Sequence, residues 1–496
     1  MLAITRLPAL GLFLGLVLAT TSCSYFREEA ATKLYNKGVD LQKQNSLDEA
    51  LATYHELIDK YSQDTANPAI LKVVCAGMQN EIYIIHHQTV PKRSTAPVDA
   101  MIATCGADPR EEMRTTVAEA MYNKAVDDEA QNRNAQAIET YRRVIETYGR
   151  DVAIETRRTV AAATVNLGID QGKNNQPAEA VSTFRQMIST YASEADGEIR
   201  EQRAMAMYNL GGALQRGRQF DEAVTIYDQL IASYATAKGN VFHNLVMKGL
   251  AQQARTYVAL NRPDDAGKDY VQLIKAFAPG NTPEERVVVA SSGVGLGDIL
   301  RAKHRVDDAV RLYDETIGTY SGDTDNDVRA IMAVALQNKA MALEERSLDD
   351  SLAVFEQVVK TYGADHDASI SWTVGYSLNA AAYKRLLIAK REWRNKARAL
   401  AELHAAQSEI TASLARIPNR SWTLGNLAYV QWLLGDQAAS AQSFASALAD
   451  PQNGGATIYK DTLSDIALFP IREDAAFHKM IDQEWLKYGA EHPGNS

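Results

Sequence analysis

The stretches LDEALATYHELIDKY (47–61), FDEAVTIYDQLIASY (220–234) and VDDAVRLYDETIGTY (306–320) are three readings of one pattern, and its spacing decides the fold. Aligned on their shared alanine they join a longer column: Ala50, Ala137, Ala180, Ala223, Ala266, Ala309 and Ser351. The steps are 87, 43, 43, 43, 43 and 42 residues, so a worn unit with Ser94 on the alanine column must fill the double first step. Four residues after the alanine stand Tyr54, Tyr141, Phe184, Tyr227, Tyr270, Tyr313 and Phe355, and eleven after it Tyr61, Tyr148, Tyr191, Tyr234, Phe277, Tyr320 and Tyr362. Apolar pairs such as Leu57 with Ile58 lie between, so offsets 0, 4, 7, 8 and 11 form one apolar helical stripe. Twelve before the alanine come Gly38, Ala125, Gly168, Gly211, Ala254 and Gly297, small enough for a second helix to approach. The expected fold is all-α: an α-solenoid of antiparallel helix pairs with a 43-residue period.

These columns resemble the tetratricopeptide (TPR) repeat, which has a small residue in its first helix, alanine and an aromatic in its second, and a short turn between. A TPR unit runs about 34 residues, so each unit here carries about nine more. The extra residues fall before the first helix, where Asn67-Pro68, Asp108-Pro109 and Thr282-Pro283-Glu284-Glu285 read as helix starts, which lengthens that helix by two turns or more. Residues 31–362 make eight TPR-like repeats, the second one degenerate at about 66–107. From 363 to 496 the period loosens: SWTVGYSLN (371) and SWTLGNLAY (421) are 50 apart, WLLGDQAASAQSFASALADP (432–451) resembles a further unit, and IREDAAFHKMIDQEW (471–485) reads as a capping helix.

At 496 residues, 46% hydrophobic and 23% charged, the chain is globular in composition, and its formal charge of -10 argues against nucleic acid as a partner. Residues 1–22 have the form of a signal peptide: Arg6, an apolar core from Ala9 to Ala19, then small residues. Thr20-Thr21-Ser22-Cys23 resembles a lipobox, which implies lipidation of Cys23, a lipid-anchored linker over 23–30, and Ser24 in the place that favours the outer membrane. A soluble periplasmic protein is the alternative address. In repeat style and anchor the chain is similar to the TPR lipoprotein of the β-barrel assembly machine and to TolA-binding periplasmic proteins. That implies a periplasm-facing scaffold for envelope proteins; an accessory lipoprotein of a secretion or polysaccharide-export system is the second reading.

In the worn unit the turn is expected near Val90-Pro91, with Cys75 and Cys105 fifteen residues to either side and therefore side by side. In an oxidising compartment these two are expected to form a disulfide, contributing on the order of 3 to 4 kcal/mol for a loop of about 30 residues. His86 is about 16 Å from Cys75 along a helix, and His86 and His87 point about 100° apart, so no metal site is expected there. SGDTDNDVRA (321–330) opens like a calcium loop, but Val328 and Val334 occupy the required glycine and glutamate, which leaves a loop with Asp327 as a helix cap. GVGLGD (293–298) lacks the dinucleotide spacing, and no cofactor is implied. Nothing recommends an enzyme; a hydrolase would have to depend on His404 or His478.

By the TPR resemblance, the inner face is lined by Tyr35, Lys43, Tyr122, Glu129, Lys173, Tyr208, Arg216, Arg255, Asp298 and Arg301. Five bases against two acids in an acidic chain imply a groove for an extended acidic peptide, the alternative being an ordinary solvated face. The Asn of a chaperone-type carboxylate clamp is replaced by Val39, Val126 and Ile169.

Overall fold

A computed structural model describes residues 10–64, 66–87, 96–106, 108–418, 420–451 and 453–492, with side chains from 25 onward and, in the third helix, through 85. Residues 1–9 and the side chains of the rest of the signal segment, the Cys23 side chain, the side chains of His86 and His87, and the expected turn at Val90-Pro91 lie outside the described residues. The chain divides into two compact units, residues 1–246 and 247–496. The boundary falls inside a helix, whereas the sequence period changes after Tyr362.

Unit 1 holds α1 (Leu10–Lys43), α2 (Leu47–Tyr61), α3 (Pro68–His87), α4 (Ala96–Cys105), α5 (Glu111–Ala130), α6 (Asn134–Tyr148), α7 (Ile154–Lys173), α8 (Pro177–Thr190), α9 (Gly197–Arg216) and α10 (Phe220–Tyr234). The division falls within α11 (Asn240–Ala259). Unit 2 continues through α12 (Pro263–Phe277), α13 (Pro283–Ala302), α14 (Val306–Tyr320), α15 (Asn326–Leu343), α16 (Leu348–Tyr362), α17 (Ala368–Arg391), α18 (Lys396–Arg416), α19 (Ser421–Leu433), α20 (Gln437–Leu448), α21 (Ala456–Ala467) and α22 (Asp474–Glu491). Odd-numbered helices are the first of each pair and even-numbered ones the second. First helices pack on the first helices of the next pair, as in α5 on α7 and α13 on α15. Second helices pack between first helices, as α6 does between α5 and α7, so within each unit the first helices form the inner layer.

The column residues explain the pairing. A Cβ added to Gly38, Gly168, Gly211 or Gly297 would come within 2.4 to 2.6 Å of the ring of Tyr54, Phe184, Tyr227 or Tyr313. The small residue is therefore a seat for the aromatic sixteen positions later, and these rings are fully or almost fully buried. The turns within six of the pairs, from α1–α2 to α13–α14, close in the same way. Asn45, Asn132, Asn175, Arg218, Asn261 and His304 all have φ between 56 and 59°. The next amide then reaches back five residues, as in Gln219 N to Leu214 O at 2.8 Å and Arg305 N to Leu300 O at 2.9 Å.

The helix starts refine the expectations. Thr282 and Glu285 form a reciprocal capping box around Pro283, and Asn67 Oδ1 accepts from the amides of Ala69 and Ile70. α5 begins two residues after Pro109, because the Asp108 carboxylate is engaged by Arg110. In the 321–330 loop Asp325, not Asp327, caps α15: its Oδ1 accepts from the amides of Asp327 and Val328. Cys75 and Cys105 are joined by a disulfide with their Cα atoms 6.0 Å apart, both sulfurs buried between α3 and the ten-residue α4.

Candidate functional site

Two polar arrangements run beside the apolar columns. On the pair ends, Arg27, Arg114, Arg157, Arg286 and Arg329 of first helices meet Asp64, Asp151, Glu194, Asp323 and Asp365, which follow the second helices. The Arg114 and Arg286 contacts measure 2.6 and 2.5 Å. Asp151, Asp323 and Asp365 also accept backbone amides two residues on, so each carboxylate both clasps its own pair and shapes the turn into the next. The arginine hydrogen bond holds Asp151 below the usual carboxylate range, and backbone amides, with the arginine second, do the same for Asp323 and Asp365. Where Ala237 replaces the acid, Arg200 lies instead over the rings of Tyr234 and Phe242, at 5.9 and 5.6 Å.

On the inner layer, tyrosine hydroxyls of second helices bond to first helices. Tyr54 donates to Gln42 Oε1 at 3.1 Å, Tyr227 to Gln215 Oε1 at 2.9 Å and Tyr313 to Asp298 Oδ1 at 2.6 Å. An asparagine of the following first helix reaches the same spot: Asn80 donates to the Tyr54 hydroxyl at 3.0 Å, Asn166 to Tyr141 at 3.1 Å and Asn338 to Asp298 at 2.8 Å. Asn209 stands 25 residues after Phe184, as Asn166 does after Tyr141, but Phe184 has no hydroxyl, and Asn209 donates to Met205 O of its own helix.

This ladder occupies several residues expected to line a groove. Tyr35, Tyr122 and Tyr208 are half-buried against Tyr54, Tyr141 and Tyr227, with ring centroids 6.4, 5.8 and 6.5 Å apart. Glu129 faces Tyr141 and the fully buried Asp170; burial, and then Asp170, push its carboxyl up to about 7. Asp298 is also raised by burial, despite the donors from Tyr313 and Asn338. Of the five bases, Lys173 pairs with Asp170 at 2.9 Å and Lys43 with Asp40 at 3.7 Å, while Arg216 and Arg255 are exposed and Arg301 is half-buried. Three of them belong to unit 1 and two to unit 2. His404 on α18 and His478 on α22 are exposed, His478 3.5 Å from Asp482.

An inner-face concavity with convergent polar groups lies elsewhere, at the late first helices of unit 2, α15, α17, α19 and α21. It encloses about 480 Å³, within the range of ligand pockets. The two SWT phrases supply its aromatic wall. Trp372 stacks on Tyr376 and Tyr376 meets Trp422, each pair of rings 5.7 Å apart. One helical turn deeper, Asn426 Nδ2 donates to Asn379 Oδ1 at 3.2 Å. Lys384, with its side chain 4% exposed, pairs with Glu344, and its Nζ lies 4.7 Å over the Tyr383 ring. Tyr383 donates to Asp465 Oδ1 at 2.5 Å, and burial raises the Asp465 carboxyl. Behind this wall Lys390, fully buried, donates to Tyr429 at 2.6 Å and to the carbonyls of Asp465 and Ile466, and pairs with Asp474 at 3.3 Å. That network fastens α21 and α22 to α17. The repeated SWT phrase points to this place, but the repeat columns stop at Tyr362.

A tetratricopeptide repeat family model matches residues 34–64, 119–150 and 205–237. Each match covers the end of a first helix and the whole second helix. The eight residues of α5 and of α9 that precede it are the two extra turns. No curated protein matches the chain by sequence. Among solved structures, a tetratricopeptide repeat protein from Parabacteroides merdae is 12% identical, the match covering 63% of this chain and 98% of that one at a TM-score of 0.38. The apo form of the quorum sensor NprR from B. thuringiensis is 11% identical, covering 78% and 99%, at 0.40. A putative kinesin light chain from Podosopora anserina with nearly identical TPR-like repeats is 19% identical, covering 42% and 96%, at 0.33. With the small-residue seats, the alanine column and the matched segments in one phase, the chain is an all-α solenoid of helix pairs that carries tetratricopeptide repeats.

Proposed function

We propose that the chain is a lipid-anchored scaffold on the periplasmic face of the outer membrane, and that it holds envelope proteins through the inner layer of its first helices. TPR repeats point to protein–protein interaction in general. The observation that carries the reading further is the unit 2 concavity, where four successive first helices converge aromatic, amide and charged groups on one open space. The address is supported by Thr20-Thr21-Ser22-Cys23 and by the Cys75–Cys105 disulfide, a linkage that persists in oxidising compartments.

Two measurements test the reading. Radiolabelled palmitate should enter the wild-type chain and not Cys23→Ala, which should leave the membrane fraction; equal membrane retention of both would remove the anchor. A photoreactive residue in place of Tyr376 or Trp422 should give discrete adducts with envelope proteins in cells, whereas one in place of His404 should not. Identical adduct patterns from both faces would remove the inner-face scaffold. The identity of the captured chains separates envelope assembly from secretion or polysaccharide export.

A further inference from the structure

We infer that the unit 2 cavity accepts a cationic side chain, arginine above lysine, presented by an extended segment of a partner protein. This rests on the scaffold reading and specifies its chemistry. It also differs from the acidic peptide expected from the earlier repeats.

The wall comes first. Trp372, 45% exposed, stacks on Tyr376, and Tyr376 and Trp422, their rings tilted against each other, both line the cavity. Ring faces attract cations and also pack the apolar stem of a long side chain, and a planar guanidinium stacks on them where an ammonium cannot.

The charge balance comes second. Asp461 and Asp465 stand one turn apart on α21, both lining the cavity, and like charges at that spacing repel. The cations nearby are already engaged. Lys384 pairs with Glu344. Lys390 is held by Tyr429, Asp474 and two backbone carbonyls. Arg301, which does not line the cavity, acts by its charge on Tyr376 and also on Asp298 and Tyr313 of the preceding pair. Asp465 accepts from the neutral Tyr383 hydroxyl, and among the described residues no ion pair or hydrogen bond engages Asp461. Negative charge on the α21 side is thus left for a ligand to meet. An anionic ligand would face this pair, and a purely apolar one would strip water from Asp465 and the Asn379–Asn426 amides with nothing in return. Those amides supply a donor and an acceptor at the depth where a partner's peptide bond would pass.

The test uses the mature full-length chain and four blocked pentapeptides, acetyl-Gly-Gly-X-Gly-Gly-amide, in which X is arginine, lysine, norleucine or glutamate, followed by isothermal titration. Saturable binding is expected for arginine and, more weakly, for lysine, and none for norleucine, which keeps the stem without the charge, or for glutamate. Asp461→Asn should weaken the arginine peptide about tenfold, as expected for one charge of a partly desolvated pair. Because Asp461 is exposed and structurally unengaged, its circular dichroism melt should be unchanged. Trp422→Phe, which keeps a ring, should retain more affinity than Trp422→Ala. Equal binding of the norleucine and arginine peptides, unchanged affinity in Asp461→Asn, or no binding by the arginine peptide would each overturn the inference. If photo-adducts from Tyr376 persist alongside any of these, the scaffold stands and only its cation pocket falls; if the adducts are absent, the scaffold itself falls.

Discussion

Phe184 and Tyr227 occupy the same place in neighbouring repeats and differ by one oxygen, and the surrounding side chains register that difference. Tyr227 donates to Gln215, whereas Asn209, at the asparagine position that follows Phe184, turns back to its own helix. Both rings lie on a glycine, which sets a first expectation. Gly211→Ala gains up to about 1 kcal/mol of helix propensity but places a methyl 2.5 Å from the Tyr227 ring. Overpacking of this kind costs about 1–3 kcal/mol, so net destabilisation is expected in thermal melts. A second concerns Glu129, whose carboxyl is raised to about 7 by burial and Asp170. The folded chain then holds a proton that the unfolded chain releases at the ordinary glutamate value, so stability falls as pH rises from that value to about 7 and is level above. Urea midpoints on either side of this window should show the fall, and Glu129→Gln should abolish it and be the more stable variant at alkaline pH. Buried Asp170 Oδ2 has no hydrogen-bond donor, which a protonated Glu129 would supply. At this scale the alanine, glycine and aromatic columns were legible because they are apolar and repeat in phase. The asparagine and arginine columns repeat as well, but a polar residue in phase looks like solvated surface until its partner, up to 40 positions away, is seen.

Six helix pairs are closed by a left-handed residue at the same place, and its chemistry varies. Asn45, Asn132, Asn175 and Asn261 tolerate that conformation, while Arg218 and His304 adopt it at φ 59 and 57° without a side chain suited to it. Arg218→Gly and His304→Gly are therefore expected to stabilise by about 0.5–1 kcal/mol each, less the entropy glycine adds to the unfolded chain, and denaturant midpoints will show it. Asn132→Ala should move the other way. The starts of α3 and α13 could be read from Asn67-Pro68 and from Thr282 with Glu285. The start of α5 could not, because the Asp108 side chain that would have marked it is drawn aside by Arg110.

Across the whole molecule the clasps add up to one acid sensitivity. Asp151, Asp323 and Asp365 are held below their usual range, so their contribution is complete above the ordinary carboxylate pKa and is lost as pH falls through the depressed folded values. Acid titration of the helical signal should be steeper for wild type than for Arg114→Gln or Arg286→Gln. The aromatic cavity was the part least legible in sequence. α17 and α18 are 24 and 21 residues long, so the step between the two SWT phrases stretches to 50 and first-helix columns could not be projected across it. Its polar half depends on α21, which has no counterpart among the repeat columns.

The ten-residue α4 gives the second pair little surface of its own, and the Cys75–Cys105 bond compensates. In a stack where each pair leans only on its neighbours, stability passes along the row through every member in turn. α1 meets α3, and α3 meets α5, so the first pair borrows its firmness from the third only through the stapled second. Removing two electrons from a pair of thiols thus sets how far order travels along unit 1, and the end next to Cys23 is the one that feels it first.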